Sequence, residues 1–455
     1  MPAPLRSHAN LLADDFEATP FWWRDTPPRE IDCLSSSASY DVAIVGSGFT
    51  GVSAALGLAD IGWNVIVVDA GRIGCGASSR NAGFVGKNLK ESFLKLAKKR
   101  GEDMARASYQ AADDAYENLL NMVAELGIDC DLNIAGRLRA SRNTVGESAL
   151  SHDLAARQQV YEEPFYEWGA AQTKVELPGA DFASSVLVEN GGHLHPGKLL
   201  SSLIDACIAR GVAFQSNCEV RGVTDNITTK TLTTSMGPIN TKHVVFGING
   251  FGPEKPESVA RYRMPFTANM IATEKLDPGF VAEVLPNNRA YSDDRFDMNY
   301  FRRSPCGQRI LFGGLTGKAI ATPKLAASLL KSRLVEILPD LADVRISNAW
   351  SGKCATTVDM LPRIISSPKF LSATGYTFTG ICFGLLLGQR IAQHLAMWPS
   401  VTTARTPIGM SAPAGALTDS AHMAYVPTAF ARRQVSSLAF RYFEAKECLS
   451  NIGKK

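Results

Sequence analysis

"YDVAIVGSGFTGVSAALGLADIGWNVIVVDA" (residues 40–70) opens on an apolar run, Val42 to Val45, that predicts a strand buried on both faces. Glycines follow at 46, 48 and 51, and the next residues favour a helix up to a stop at Gly62. A second apolar run ends on Asp69. Strand, glycine turn, helix and strand in this order are the context in which G-x-G-x-x-G signals a dinucleotide site. Gly46 permits the tight turn, Gly48 lets the backbone approach a pyrophosphate, and Gly51 allows helix and strand to pack closely. The start of the helix, Phe49 and Thr50, then aims its positive end at the phosphates. Asp69 can accept from ribose hydroxyls, and its charge disfavours a 2′-phosphate, which argues against NADP.

Downstream, "GCGASSRNAGFVG" (residues 74–86) is poor both as helix and as strand: its backbone is kept bare around one arginine, Arg80. A nicotinamide enzyme would continue with further strand and helix units of ~30 residues. With "FWWRDTPP" before the first strand, "GSGFTGVSAA" at the turn and "GASSRNAG" after it, the chain resembles the FAD-dependent amine and amino-acid oxidoreductases, the family of D-amino-acid, glycine and sarcosine oxidases. Within it the likeness is to the gamma-glutamylputrescine oxidoreductase group. Later segments recur in the family's order, among them "GGHLHPGKLLSSLIDACIARGVAF", "CEVRGV", "HVVFGINGF", "YFRRSPCGQRILFGG", "WSGKCATTVDMLPRI" and "GYTFTGICFGLLLGQRIAQHLA".

The resemblance implies an α/β, two-domain fold: a Rossmann-like FAD domain interleaved with an antiparallel-sheet substrate domain, as in D-amino-acid oxidase. The expected divisions are an N-terminal arm (1–37), a discontinuous FAD-binding domain (38–95, 190–255 and 355–398), a substrate domain (96–189 and 256–354), and a linker with a helical extension (399–455). Parallel strands are expected near 40–70, 212–223 and 243–249, and a helix over 92–125 joins the two domains. The implied FAD contacts are Ala70 and Arg72 beyond Asp69, then Ala77, Ser78, Ser79, Arg80, Asn81, Ala82 and Gly83 of the bare loop. Val220 falls on the adenine side, Asn249 and Gly250 in the next turn, and Gly375, Phe378, Thr379, Gly380 and Ile381 in the last turn, against the flavin ring.

The implied reaction is hydride transfer from a carbon next to nitrogen onto flavin N5, with the imine then hydrolysed and oxygen reduced to hydrogen peroxide. Two other readings stay open, a dehydrogenase passing electrons to a quinone or carrier and a flavin-binding subunit or sensor without turnover. Departures from the family bear on the choice. Its last turn is commonly G-[FY]-S-G-H-G, whereas this chain has Phe378 and Thr379 in place of the small residue and the histidine. Leu311 stands where sarcosine oxidases carry an oxygen-activating lysine. The loop has no histidine for a flavin bond, and Gly352 takes the place of the cysteine some relatives use, so FAD is expected to be non-covalent, with Cys354 the one exception to watch. Catalytic candidates are Thr379, the amides at Gly380 and Ile381 as donors to developing negative charge, Arg302 as a carboxylate clamp, and Tyr300 as a wall of the substrate site. Arg303, Asn299 and Trp350 are weaker candidates, and Trp22 and Trp23 are expected to pack the arm onto the body.

Composition closes off other classes. The chain of 455 residues carries 47 basic and 44 acidic side chains, a net charge of +3, without the basic stripe that nucleic acid demands. Nine cysteines lack C-x-x-C spacing, and His193 and His195 lack a third ligand, so neither a disulfide framework nor a metal is expected. The N-terminus has no apolar signal core and carries Asp14, Asp15 and Glu17. No apolar run approaches the roughly 20 residues of a membrane helix. The expectation is therefore a cytoplasmic protein acting on a small amine or amino acid. The basic, apolar pattern of residues 428–449 suggests a helix that docks on the protein or on a partner subunit, with a membrane-surface helix as the other reading.

Overall fold

The computed structural model describes residues 11–33, 39–142, 144–226, 228–251, 263–295 and 297–397. The expected C-terminal linker and helix lie outside them, as does the N-terminal tip of the arm.

The opening stretch folds as read. Strand Ser39–Val45 runs parallel to Val65–Val68, and helix Phe49–Asp60 lies between them in sequence. Alternation along the first strand serves two cores: Val42 and Ile44 pack among the helices, while Ala43 and Val45 pack on the opposite face. That two-sided burial is why the run is apolar throughout rather than alternating. Ala213–Gln215 and the end of Gly237–Phe246 extend the parallel sheet on either side, and Phe370–Thr374 joins it beyond. Val220–Asp225, expected as a parallel strand, instead pairs antiparallel with Lys230–Thr234 at the edge of this sheet. A short β-branched run does not encode direction; the turn that follows sends the chain straight back.

Four helices cover one face of the sheet: Phe49–Asp60, Glu102–Glu125, Pro196–Ala209 and Cys382–Ala396. Helix Glu102–Glu125, placed with the substrate domain in the sequence reading, thus buries Tyr109, Ala112, Ala115 and Leu119 in the core of the dinucleotide side. The last helix crosses the first almost backbone to backbone. A Cβ on Gly388 would stand 2.5 Å from the Thr50 carbonyl oxygen, and the Ser53 hydroxyl donates to the Leu385 carbonyl at 2.7 Å. This contact fixes the turn before the last helix against the glycine turn before the first.

The second sheet has nine strands in the order Leu12–Glu17, Ile346–Thr356, Met264–Thr273, Ile310–Gly314, Tyr300–Arg303, Ala290–Asp293, Arg137–Ser141, Ser184–Val188 and Phe165–Gly169. Most neighbours are antiparallel; the arm strand Leu12–Glu17 and the pair Ala290–Asp293 with Arg137–Ser141 are parallel. Phe301, Ile271 and Phe312 face helix Pro323–Ile337, whereas Tyr300, Met270 and Trp350 face the dinucleotide side. No helix among the described residues is long and apolar enough to cross a membrane.

Candidate active site

A cavity of about 1510 Å3 runs from the glycine turn to the nine-stranded sheet. Small-molecule sites commonly occupy ~300–1,000 Å3, so this one has room for a dinucleotide and a second ligand.

At one end the glycine turn is built as its spacing demands. Gly46 has φ +104°, and a Cβ on Gly51 would meet the Gly46 carbonyl oxygen at 1.9 Å. Asp69 braces the turn: one carboxylate oxygen accepts from the Ser47 amide at 2.9 Å and hydroxyl at 2.6 Å, the other from the Gly71 amide at 3.0 Å. Asp69, Ala70 and Val220 line this end with Glu219, an acid that the sequence reading passed over.

The bare loop crosses the middle. Ser78 accepts from the Phe49 amide at 2.9 Å, which holds the loop against the start of the first helix. Asn81 ties the loop to itself, donating to the Ser78 carbonyl at 2.9 Å and accepting from the Gly83 amide at 2.8 Å. Arg80 donates to the Cys75 carbonyl at 2.8 Å and lies 4.4 Å from the centre of the Trp23 ring. Three tryptophans satisfy the loop's acceptors: Trp22 donates to the Asn81 carbonyl, Trp350 to the Arg80 carbonyl and Trp23 to the Ser79 hydroxyl, at 2.8, 2.8 and 2.9 Å. The arm therefore packs on the body, as expected of Trp22 and Trp23.

The last turn closes the site. Gly375, Thr377 and Phe378 all have positive φ, +84°, +44° and +76°. Asn249 pins this turn by accepting from the Gly375 amide at 3.1 Å. Thr379 spends its hydroxyl on the Tyr376 carbonyl at 2.6 Å, so it shapes the turn rather than presenting a proton. The amides of Gly380 and Ile381, just ahead of helix Cys382–Ala396, make no hydrogen bond among the described residues and line the cavity. Unpartnered amides at one place and a glycine cradle at the other are what a dinucleotide with an electron-accepting ring would fill.

Residues 41–394 match the family described as FAD dependent oxidoreductase (DAO). The chain belongs to this family. It is 27% identical over 368 residues to the gamma-glutamylputrescine oxidoreductase of Escherichia coli (strain K12), spanning 80% of this chain and 85% of that protein. It is likewise 27% identical over 376 residues to the probable oxidoreductase OrdL of Rhizobium meliloti (strain 1021), spanning 82% and 87%. In fold it is similar to the crystal structure of glycine oxidase from Geobacillus kaustophilus, with a TM-score of 0.68 at 20% identity over 81% of this chain and all of that one. The α/β, D-amino-acid-oxidase-like fold and FAD as cofactor follow from this membership.

Most of the cofactor contacts that the sequence implied lie on the lining of this cavity. Gly46, Gly48, Phe49, Thr50, Ala77, Ser78, Arg80, Asn81, Ala82 and Asn249 all line the cavity, and so do Phe378, Thr379, Gly380 and Ile381. Gly51, Arg72, Ser79, Gly83, Gly250 and Gly375 do not; they shape the wall from behind. A Cβ on Gly83 would meet the Leu194 carbonyl oxygen at 2.1 Å, and one on Gly250 the Cys354 carbonyl oxygen at 2.5 Å.

Tyr300 faces the cavity, its ring lying across Gly313, where a Cβ would come within 2.1 Å of it. Arg302, proposed from the sequence as a carboxylate clamp, is corrected by the structure. It shares a strand face with Tyr300 but lies one pleat further on, beneath Trp22, and is off the cavity. It donates to the Leu194 carbonyl at 2.8 Å, the Ala82 carbonyl at 3.3 Å and the Arg303 carbonyl at 2.9 Å, so it supports the bare loop from below. Arg303 turns out to the Leu285 and Pro286 carbonyls, and Asn299 pairs with Asp293 behind the sheet's cavity face. Leu311 is fully buried in the apolar cluster under Trp22 and Trp350, away from the cavity.

No sequence motif marks the far lobe, where Lys90, Arg137, Arg139 and Arg157 line the cavity along with Glu91, Asp153, Glu163 and Asp294. Lys90 stands 5.6 Å from the Phe378 ring, and burial pulls its pKa down to about 8. Lys90 sits in a loop, Arg137 and Arg139 on the strand Arg137–Ser141 and Arg157 at the end of helix Thr144–Arg157, and only the folded chain brings them together.

Proposed function

We propose that the protein oxidises the C–N bond of a small amine or amino acid, with oxygen as the final acceptor and hydrogen peroxide as a product. FAD, when bound, supplies the two-electron acceptor. The observation that carries the reading is one continuous cavity joining the glycine turn to the Tyr300 face of the second sheet, in a chain similar to an oxidoreductase named for gamma-glutamylputrescine.

The chain's own groups fit this chemistry. Met270, Met298, Phe84 and Ala268 give the substrate end an apolar wall, which favours the neutral amine over the ammonium that cannot give up electrons. Tyr300 keeps its proton, because burial raises its pKa, and its hydroxyl can orient a substrate. The amides of Gly380 and Ile381 offer fixed donors where negative charge develops. Phe378, 40% exposed at the cavity rim against Phe266, bounds the entrance. The flavin is held without a covalent bond: Cys354 lines the cavity, but burial pushes its thiol up to about 12, leaving almost no thiolate at neutral pH.

Turnover in air with an amine panel, read by peroxide formation, tests the acceptor. Activity on an artificial acceptor without peroxide would replace oxygen by a quinone or carrier. Acid precipitation should leave the yellow colour in the supernatant; colour in the pellet would show a covalent bond.

A further inference from the structure

The register of the nine-stranded sheet sets one row of residues across its cavity face. Trp350 pairs with Met270, Met270 with Gly313, Gly313 with Tyr300, Tyr300 with Ser292, Ser292 with Arg139 and Arg139 with Val186. Directly paired residues share a face, so Arg139 and Tyr300 point the same way, two strands or ~10 Å apart. Arg137, two residues before Arg139, shares that face as well.

Arg137 is led to the cavity through a notch made for it. Gly86 and Gly191 are direct partners across the small sheet Phe84–Gly86 and Gly191–His193. A Cβ on Gly86 would stand 3.3 Å from the Arg137 Cδ, and one on Gly191 would stand 2.9 Å from it. Any side chain at both positions would block the stem. Beyond the notch the guanidinium meets the Asn88 side-chain oxygen. Arg139 donates to the Asp294 carbonyl at 3.4 Å.

Neither arginine has a carboxylate within ion-pair distance among the described residues, whereas the basic groups around them do. Arg157 lies 3.2 Å from Glu163 and 3.4 Å from Asp153, and Lys87 lies 2.5 Å from Asp113 and 3.3 Å from Glu117. Arg139 is exposed and Arg137 half-buried, both on the lining of the open cavity, and the protein around them lowers the pKa of each. Asp293, Asp294 and Asp153 act on Arg139, and Glu163 on Arg137, from beyond ion-pair distance. Two guanidinium forks with no carboxylate in contact favour a planar anion that each can grip with paired N–H donors.

We infer that Arg137 and Arg139 form an anion subsite that takes a carboxylate, so the substrate is an amine with a carboxylate at the far end of a short chain. This rests on the amine reading above, since it names the substrate class of that same cavity. The carboxylate lies along the sheet from Tyr300, and the amine end is left toward the last turn.

The test uses the FAD-loaded full chain and two kinds of probe. Dicarboxylates from malonate to adipate, their diamides and inorganic phosphate are titrated in, with binding read by the change in flavin absorption and by calorimetry. 5-Aminopentanoate and pentylamine are then compared as reductants under anaerobic conditions. At least one dicarboxylate should bind while its diamide does not, and Arg139→Gln should weaken it ~10- to 100-fold, with Arg139→Lys recovering part of the loss. The amino acid should reduce the flavin at lower concentration than the plain amine. Equal binding of dicarboxylate and diamide, an Arg139→Gln protein that binds as the parent does, or phosphate preferred over every dicarboxylate would overturn the assignment. Because the diamide and amine comparisons alter only the ligand, they decide the matter even if a variant fails to fold. Arginine-dependent dicarboxylate binding with no amine able to reduce the flavin would keep the subsite and sink the amine reading. Reduction by pentylamine and 5-aminopentanoate alike, with no dicarboxylate binding, would do the reverse.

Discussion

Replacing Asp69 by alanine tests the nucleotide end of the site most severely. The carboxylate accepts three hydrogen bonds, from the Ser47 amide and hydroxyl and from the Gly71 amide, and it lines the cavity beside Glu219 and Val220. Its removal has two consequences. Ser47, fully buried, loses the acceptor for its amide, an unmade bond costing ~1–3 kcal/mol and borne by the free protein as well. The ribose hydroxyls of bound FAD lose a charged acceptor, with each such bond worth ~1.5–3 kcal/mol and the pair less than twice that. A loss of ~3 kcal/mol corresponds to roughly 100-fold in affinity. Asp69→Asn, which keeps one acceptor oxygen, should fall between, near ~10-fold. The assay is titration of the apoprotein with FAD and, separately, with FMN, followed by quenching of flavin fluorescence. FMN lacks the adenosine, so its binding should change far less than that of FAD. An Asp69→Ala protein that binds FAD within threefold of the parent, or that weakens FAD and FMN equally, would show that Asp69 does not meet the adenosine ribose.

Gly313→Ala should push the Tyr300 ring out of the place it holds across that glycine, lowering kcat/KM at least tenfold while FAD content stays full; unchanged turnover would remove Tyr300 from the substrate wall. Arg302→Lys should lower thermal stability by an amount equivalent to ~2–4 kcal/mol and leave KM alone, because the side chain supports carbonyls of the loop and not the substrate; a raised KM at full stability would reinstate it as a clamp. His193 and His195 are buried and remain neutral, with pKa values lowered to about 3 and about 4, chiefly by desolvation. The unfolded chain takes up protons below its ordinary histidine pKa of ~6.5 while the folded one does not, so stability should fall as pH drops from 6.5 toward 4, by about 2 kcal/mol per histidine at pH 5. Melting temperatures over that range should show the loss, and a His193→Asn protein with the same slope as the parent would exclude His193 as a source.

What the sequence made legible is what short-range chemistry determines. The glycine spacing, the two apolar strands and Asp69 lie within one stretch, and the folded turn uses each as read. The bare loop was also legible, although its arginine proved to be stacked on Trp23 and bonded to Cys75, a structural partner of the arm. Register was not legible. "YFRRS" gives Arg302 the same face as Tyr300, and only the packing of Trp22 and Leu194 against it shows that the cavity ends before it. Nothing local in "RLRAS" says that Arg139 will pair with Ser292 beside Tyr300. The Gly86 and Gly191 notch is likewise invisible, since its two halves are far apart in sequence and the Asn190-Gly191-Gly192 run reads only as a turn.

Anaerobic mixing of the FAD-loaded protein with a panel of amines, including chains that end in a carboxylate, decides whether this cavity brings an amine to bound FAD. The oxidised flavin absorption should bleach fully with at least one carboxylate-bearing amine, and the colour should return on admitting air. A protein that carries a full complement of FAD, is bleached by dithionite, and keeps its spectrum with every amine would contradict the amine reading.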